Sequence, residues 1–206
     1  MGARKGSISY TLYHVDGDLP AQHRAEFLER LNEFRFTPLT PEAEEDLTHG
    51  WVVLDDMLSV DFTPENTFLG DYLAVSMRTD RWAIPGALLK AHIEARTREV
   101  LAESGKARLY KSEKLAIREE VTRLLKRKTL PAANAIDMVW ALDRKEVRFW
   151  SQSNRALEFF EALFESTFGV RLVHDNAYVA ALHCGLADEL IGALGDVEQA
   201  RFSAAE

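Results

Sequence analysis

The chain has 206 residues, of which 47% are hydrophobic and 28% charged, and its formal net charge is −8 at pH 7. These values are typical of a soluble globular protein of one domain or two small ones, and no apolar run approaches the roughly 18 residues that a membrane-spanning helix needs. Met1 to Ser7 precede no apolar segment, which argues against a secretory signal, and the single Cys184 excludes an internal disulfide framework. The sequence therefore predicts a cytoplasmic protein.

The first part of the chain predicts one helix among three strands. Strands are predicted at Ile8–Val15, Gly50–Leu54 and Asp71–Met77, because these segments are rich in β-branched, aromatic and other apolar residues. Between the first two strands, Ala21–Phe34 has its apolar residues at helical spacing. This part therefore predicts the order βαββ.

A pair of helices is predicted next. The first runs from Pro85 to Glu103 and the second from about Ser112 to Lys128, with Ser112 as the N-cap. The apolar face of the first consists of Leu89, Ile93 and Val100, and that of the second consists of Ile117, Val121, Leu124 and Leu125. Narrow apolar faces of this kind are expected in an αα-hairpin whose helices bury mainly each other. We therefore expect the hairpin to project as an arm. Its apolar tip near Thr129-Leu130-Pro131 is either a plain turn, which is favoured, or a contact with a partner subunit.

The last part of the chain returns to strands. Ile136–Leu142 and Glu146–Trp150 predict a β-hairpin, Arg155–Phe168 a strongly amphipathic helix, and Val170–Val173 a strand. The end of Asp175–Leu194 predicts one further helix. This part therefore predicts the order ββαβ.

Together these elements predict an α+β fold. The body has a mixed or antiparallel sheet in βαββ and ββαβ halves, and a basic αα-hairpin projects from it. The expected boundaries are residues 1–83 for the first half, 84–131 for the hairpin arm, and 132–206 for the second half with its C-terminal helix.

Positive charge is concentrated in the predicted hairpin. Ser104–Lys128 holds nine Lys and Arg against three acids, or +6, which leaves 16 basic against 30 acidic residues, or −14, for the rest of the chain. Such polarity suggests a polyanion held at one place, and long cationic side chains on a semi-rigid support suit DNA phosphates. The candidate DNA-binding residues are Arg96, Arg98, Lys106, Arg108, Lys111, Lys114, Arg118, Arg123, Lys126, Arg127 and Lys128.

The helical wheel refines this hypothesis. Lys111, Arg118 and Lys126 fall within about 80° of one another, whereas Arg123 and Arg127 lie elsewhere. Nothing resembles a base-reading helix, so binding independent of DNA sequence is favoured. A solvated helical face with i,i+4 ion pairs is an alternative, and so is an interaction module whose basic arm binds an acidic partner protein.

Other kinds of chemistry are open to a few residues. Asp55, Asp56 and Asp61 follow the strand at Gly50–Leu54 and could ligate the divalent metal of a nuclease, although neighbours on a strand point to opposite faces.

The six histidines have no metal-binding spacing, and no cofactor motif is present. The setting of Cys184 favours a buried structural thiol. Core packing is favoured for the aromatic residues Trp51, Trp140, Phe149 and Trp150.

Several short motifs, taken in order, resemble the RdgC family of recombination-associated proteins. The motifs are Phe36-Thr37-Pro38, Gly50-Trp51-Val52, the strand Leu73–Met77 leading through Ile84-Pro85 into a long helix, the Lys-rich linker Lys106–Lys114, Glu120-Val121, Leu124-Leu125, and Met138-Val139-Trp140 ending at Leu142-Asp143. The resemblance covers roughly residues 6–175. Family members usually continue well beyond the position of Val173, so a shortened relative is expected.

The resemblance implies a non-enzymatic function. Proteins of this family form ring-shaped homodimers that encircle duplex DNA without sequence preference, and they restrain the RecA recombinase by occupying DNA. For this chain, the resemblance therefore implies a nucleoid-associated homo-oligomer without a cofactor, in which the hairpin supplies cations. Leu130 is implied as the apolar residue that contacts the other subunit. A closed ring, an open dimer and another oligomer are all compatible with the shorter chain.

Overall fold

The computed structural model describes residues 2–4, 9–20, 22–43 and 45–196, which form an α+β fold. The strands are β1 (Thr11–Asp16), β2 (Leu47–Val53), β3 (Phe68–Leu69), β4 (Tyr72–Arg81), β5 (Ala132–Ala141), β6 (Glu146–Phe149) and β7 (Arg171–His174). The helices are α1 (His23–Glu33), α2 (Pro64–Thr67), α3 (Gly86–Ser104), α4 (Lys111–Lys128), α5 (Asn154–Phe168), α6 (Ala177–His183) and α7 (Asp188–Gly195). The predicted α+β class is confirmed.

The strands form a single antiparallel sheet. Its order is β2-β4-β5-β6-β1-β7, with the short β3 paired to β4. The longest pairing joins β4 to β5, from Tyr72 opposite Ala141 to Arg81 opposite Ala132. Strands from both sides of the helical hairpin therefore share one sheet, and the hairpin leaves it at Arg81 and returns at Ala132.

The main core lies between one face of the sheet and helices α1 and α5. Alternate strand residues point to this face, which buries Trp51, Met77 and Trp140 completely or almost completely. Helix α5 adds Phe160 and Phe164, which are fully buried. The core contains the predicted aromatic residues Trp51, Trp140 and Phe149, while Trp150 is half-buried.

Glycines end two predicted helices. Helix α3 ends at Gly105 (φ +66°) and α5 at Gly169 (φ +68°), both in the left-handed conformation that glycine adopts most readily. Gly185 (φ +69°) lies between α6 and α7, so the single C-terminal helix that we predicted is two short helices.

Several predicted boundaries move. Strand β2 begins at Leu47 rather than Gly50, and β5 begins at Ala132 rather than Ile136, because ladder pairing with β4 continues beyond the bulky apolar residues from which the strands were predicted. Ile8 and Ala21, which began two predicted elements, lie outside the described residues. None of the helices in the described part of the chain is long and apolar enough to cross a membrane.

Candidate nucleic-acid interface

Helices α3 and α4 form the predicted hairpin and share a small apolar cluster apart from the main core. The buried members are Leu109, Ile117, Val121 and Leu125, and the partly buried ones are Ile84, Leu89, Ile93, Val100 and Leu101. Leu124 is 46% exposed, so its predicted place on the buried face is wrong. At 100° per residue it lies at the edge of the Ile117–Val121–Leu125 row, and it lines a groove beside α3 rather than the buried contact.

The start of α4 also differs from the prediction. Its N-cap is Tyr110, whose backbone N–H donates to the carboxylate of Glu113 at 2.8 Å, and not Ser112. Lys106 also donates to Glu113. These two hydrogen bonds, with that from Lys106 the stronger influence, lower the pKa of the Glu113 carboxyl. The loop around α4's first turn is therefore ordered by charge-assisted hydrogen bonds.

The hairpin has its base at the sheet and its tip at residues 105–110. Strand β4 leads into α3 and α4 leads back into β5, so the opposite ends of the two helices form the tip. Leu130 follows α4 and therefore lies at the base, where it is 91% exposed. The predicted apolar tip at Thr129-Leu130-Pro131 is wrong, because the chain at that point is already returning to the sheet.

Two of the candidate cations contact the loop before β2 (residues 41–43, 45 and 46). The ammonium group of Lys126 lies 2.7 Å from the carboxylate of Asp46 and donates to the carbonyl of Ala43 at 3.3 Å. Arg127 donates to Glu42 at 2.8 Å. Lys126 is only 7% exposed, so this residue makes a structural contact and is not the free surface cation that we predicted.

Two further cations belong to exposed ion pairs. Arg96 lies 3.2 Å from Glu99 and 3.4 Å from Glu120, and Lys106 pairs with Glu113. The hydrogen bond to Glu99, followed by the charge of Glu120, raises the pKa of Arg96. Ion pairs at a solvated surface are weak, so Arg96 can exchange its partners for phosphate at modest cost, whereas Lys106 also helps to order the first turn of α4.

The other seven candidate cations are exposed and form no ion pair with any residue that the structure describes. They are Arg98, Arg108, Lys111, Lys114, Arg118, Arg123 and Lys128. Three of them, Lys111, Lys114 and Arg118, lie within about 60° on α4 and span about 10 Å along its axis. We call these three residues the basic face. It differs from the predicted set in containing Lys114 in place of Lys126.

Acidic residues lie beside the base of α4. The half of the hairpin that is nearer its tip is therefore the more positive one. Arg118 and Arg123 line a groove of about 480 Å³ together with Glu42, Asp46 and Glu119. Only Arg118 of the basic face lines this groove. The freest positive charge is therefore near Lys111 and Lys114.

Two of the three residues of the nuclease hypothesis, Asp55 and Asp56, lie in a turn after β2. Asp55 has a φ of +65° and lies 3.1 Å from Arg4, while Asp56 accepts a hydrogen bond from the N–H of Leu58 at 3.0 Å. Asp61 is exposed in the segment before α2. The described residues include no group of three or more His, Cys, Asp or Glu side chains arranged to hold a metal ion.

A buried histidine was not singled out by sequence reasoning. His14 is 6% exposed, and its Nε2 lies 2.9 Å from Asp175 while its ring stacks on His183 at 3.9 Å. Alternation in β1 places His14 on the face opposite Tyr13, and helix α6 brings His183 to it.

The neighbouring Cys184 is exposed, so the predicted burial of this thiol is wrong.

The sequence matches no protein-family model, and it matches none of the curated proteins with which it was compared.

Proposed function

We propose that this protein binds DNA without sequence preference through the basic face, as a homo-oligomeric clamp of the RdgC type. The observation that carries the proposal is the group of exposed, unpaired cations on α4, within the described residues of a chain whose net charge is −8. The mechanism is charge neutralisation of phosphates, with no chemical step and no cofactor. By occupying DNA in the nucleoid, the clamp limits access by a RecA-type recombinase.

The charge distribution favours one mode of approach. Outside Ser104–Lys128 the chain carries −14, so DNA is repelled by most of the protein and attracted to the hairpin. The two helices pack on each other, which holds Lys111, Lys114 and Arg118 on a semi-rigid support. Contacts of this kind position a duplex without reading its bases. Binding is therefore expected to be strong at low salt and indifferent to base sequence.

The oligomeric part of the proposal concerns Leu130. A leucine that is 91% exposed beside the sheet suits contact with a second copy, because association would remove its apolar surface from water. We expect light scattering after size exclusion to report an oligomer, and Leu130→Ser to shift it toward the monomer. If the unaltered protein and Leu130→Ser have equal masses, both with and without duplex DNA, Leu130 does not belong to the interface between subunits.

The DNA-binding proposal is tested by charge reversal with a matched control. Lys111→Glu/Lys114→Glu and Arg35→Glu/Arg171→Glu change the net charge equally, and all four side chains are exposed. Fluorescence anisotropy with two duplexes of unrelated sequence is expected to show at least about tenfold weaker binding for the first variant than for the second. Equal losses would show that net charge alone governs binding, and the basic face would then have no special role.

A further inference from the structure

A cleft of about 260 Å³ opens on the helix-covered face of the sheet, next to the base of the hairpin. Leu47, Arg81 and Ala132 form one row across β2, β4 and β5, and Thr79 and Asn134 belong to the next row. Period-two alternation turns all five side chains toward the same face, so the cleft is a direct result of strand register.

Two arginines and an apolar wall line this cleft. Arg81 comes from the end of β4 and Arg155 from the first turn of α5, and both side chains are exposed. The guanidinium of Arg155 lies over the ring of Phe159, 5.5 Å from its centre, and His49 stacks on the same ring at 4.9 Å. Contacts with Arg155 and His49 thereby fix the position of Phe159, and Ile136 continues the apolar wall.

The charge in the cleft is uncompensated. Its lining includes no Asp or Glu, and neither Arg81 nor Arg155 forms an ion pair within the described residues. The grooves beside the hairpin differ, since carboxylates accompany the cations there, as with Arg96, Glu99 and Glu120. In a chain with 33 acidic and 25 basic residues, two arginines that line one cleft without an acid favour the binding of an external anion there.

We propose that this cleft binds a phosphate monoester that carries an apolar or aromatic body. Guanidinium groups match phosphate oxygens in charge and geometry, and Ile136 and Phe159 cover the body of the ligand. The amide of Asn134 supplies both a donor and an acceptor for a polar edge. A nucleoside monophosphate has this chemistry, either as a free nucleotide or as the 5′-phosphorylated end of a DNA strand.

The site stands apart from the basic face, so the two proposals can fail separately. The probe is deoxyadenosine 5′-monophosphate, titrated into the full chain and followed by amide chemical shifts. Shifts are expected for Ala132, Ala133 and Asn134, and inorganic phosphate is expected to bind more weakly because it has no apolar body. The variant Lys111→Glu/Lys114→Glu is expected to keep its affinity for the nucleotide even if duplex binding is lost.

Conservative variants supply the decisive comparison. Arg81→Gln and Arg155→Gln keep most of each side-chain stem and remove the charge, and each is expected to weaken nucleotide binding at least about tenfold. Arg171→Gln, at an exposed position on β7, is expected to bind like the unaltered protein. No shift at millimolar nucleotide, equal affinity for inorganic phosphate, or unchanged affinity in both glutamine variants would overturn the proposal.

The source of the ligand is settled by comparing oligonucleotide ends. A duplex with a 5′-phosphate that binds more tightly than its 5′-hydroxyl counterpart, with the difference abolished by Arg81→Gln, would assign the cleft to DNA ends. Binding of the free nucleotide without any preference between the two ends would support the cleft as a nucleotide site.

Discussion

The ammonium group of Lys126 lies 2.7 Å from the carboxylate of Asp46, and it joins the base of helix α4 to the loop before β2. The lysine side chain is 7% exposed and also lies over the ring of Trp82, 6.0 Å from its centre. The hairpin is thus held to the body by a cation that the amino-acid pattern assigned to DNA. Its burial separates the structural charges of α4 from those free to bind a ligand.

We predict that Lys126→Ala destabilises the fold. It removes the contact with Asp46 and leaves the carbonyl of Ala43 without its donor, which should cost about 1–2 kcal/mol of unfolding free energy. Lys128→Ala, on the same helix but exposed, is expected to change it by no more than about 0.5 kcal/mol. Urea denaturation followed by circular dichroism measures both, and equal values would contradict a structural role for Lys126.

The salt dependence of duplex binding should depend on the number of cations in the basic face. Each phosphate neutralised adds about 0.9 to the slope of log affinity against log salt concentration. Replacing Lys111, Lys114 or Arg118 singly by Ala should therefore reduce the slope by about 1. Titrations at four or more salt concentrations give these slopes. An unchanged slope in all three variants would place the phosphate contacts elsewhere.

Gly50 should not tolerate a side chain. A Cβ at this position would lie 2.6 Å from the Cα of Phe36 and 2.7 Å from its backbone nitrogen, and backbone atoms cannot move aside cheaply. Gly50→Ala is expected to lower the unfolding free energy by about 1–3 kcal/mol. Gly192→Ala is the control: it meets no atom within 4 Å in helix α7 and should stabilise by up to about 1 kcal/mol. Thermal and urea unfolding show whether each variant has a lower or a higher unfolding free energy than the unaltered protein.

Stability should fall in mild acid through His49. Burial lowers the pKa of this imidazole below its ordinary value of 6.5, so the unfolded chain takes up the proton first as the pH falls. The contribution of the neutral ring is complete above about pH 6.5 and is lost as the pH falls through the lower pKa of the folded state. His49→Phe, which keeps a ring against Phe159, should flatten the curve of unfolding free energy between about pH 7 and 5. An identical curve would contradict this assignment.

Much of the local structure could be predicted from residue patterns because its causes are local. The ends of α3 and α5 follow from Gly105 and Gly169, and the buried faces follow from apolar spacing. Apolar spacing did not predict the exposure of Leu124 correctly, because this residue lies beside a narrow helix contact and remains 46% exposed. The exposure of Cys184 is a similar case, because it depends on where helix α6 lies.

By itself, the amino-acid sequence determined the order of the longer elements, the α+β class and the concentration of positive charge in one hairpin, since these depend on spacing and composition. Only the tertiary structure decided which charges are free. Lys126 is buried against Asp46, and Arg81 and Arg155 line one cleft, because the fold brings together residues that are far apart in the chain. Desolvation and pairing depend on such contacts, so no pattern along the sequence could separate a structural cation from a binding one.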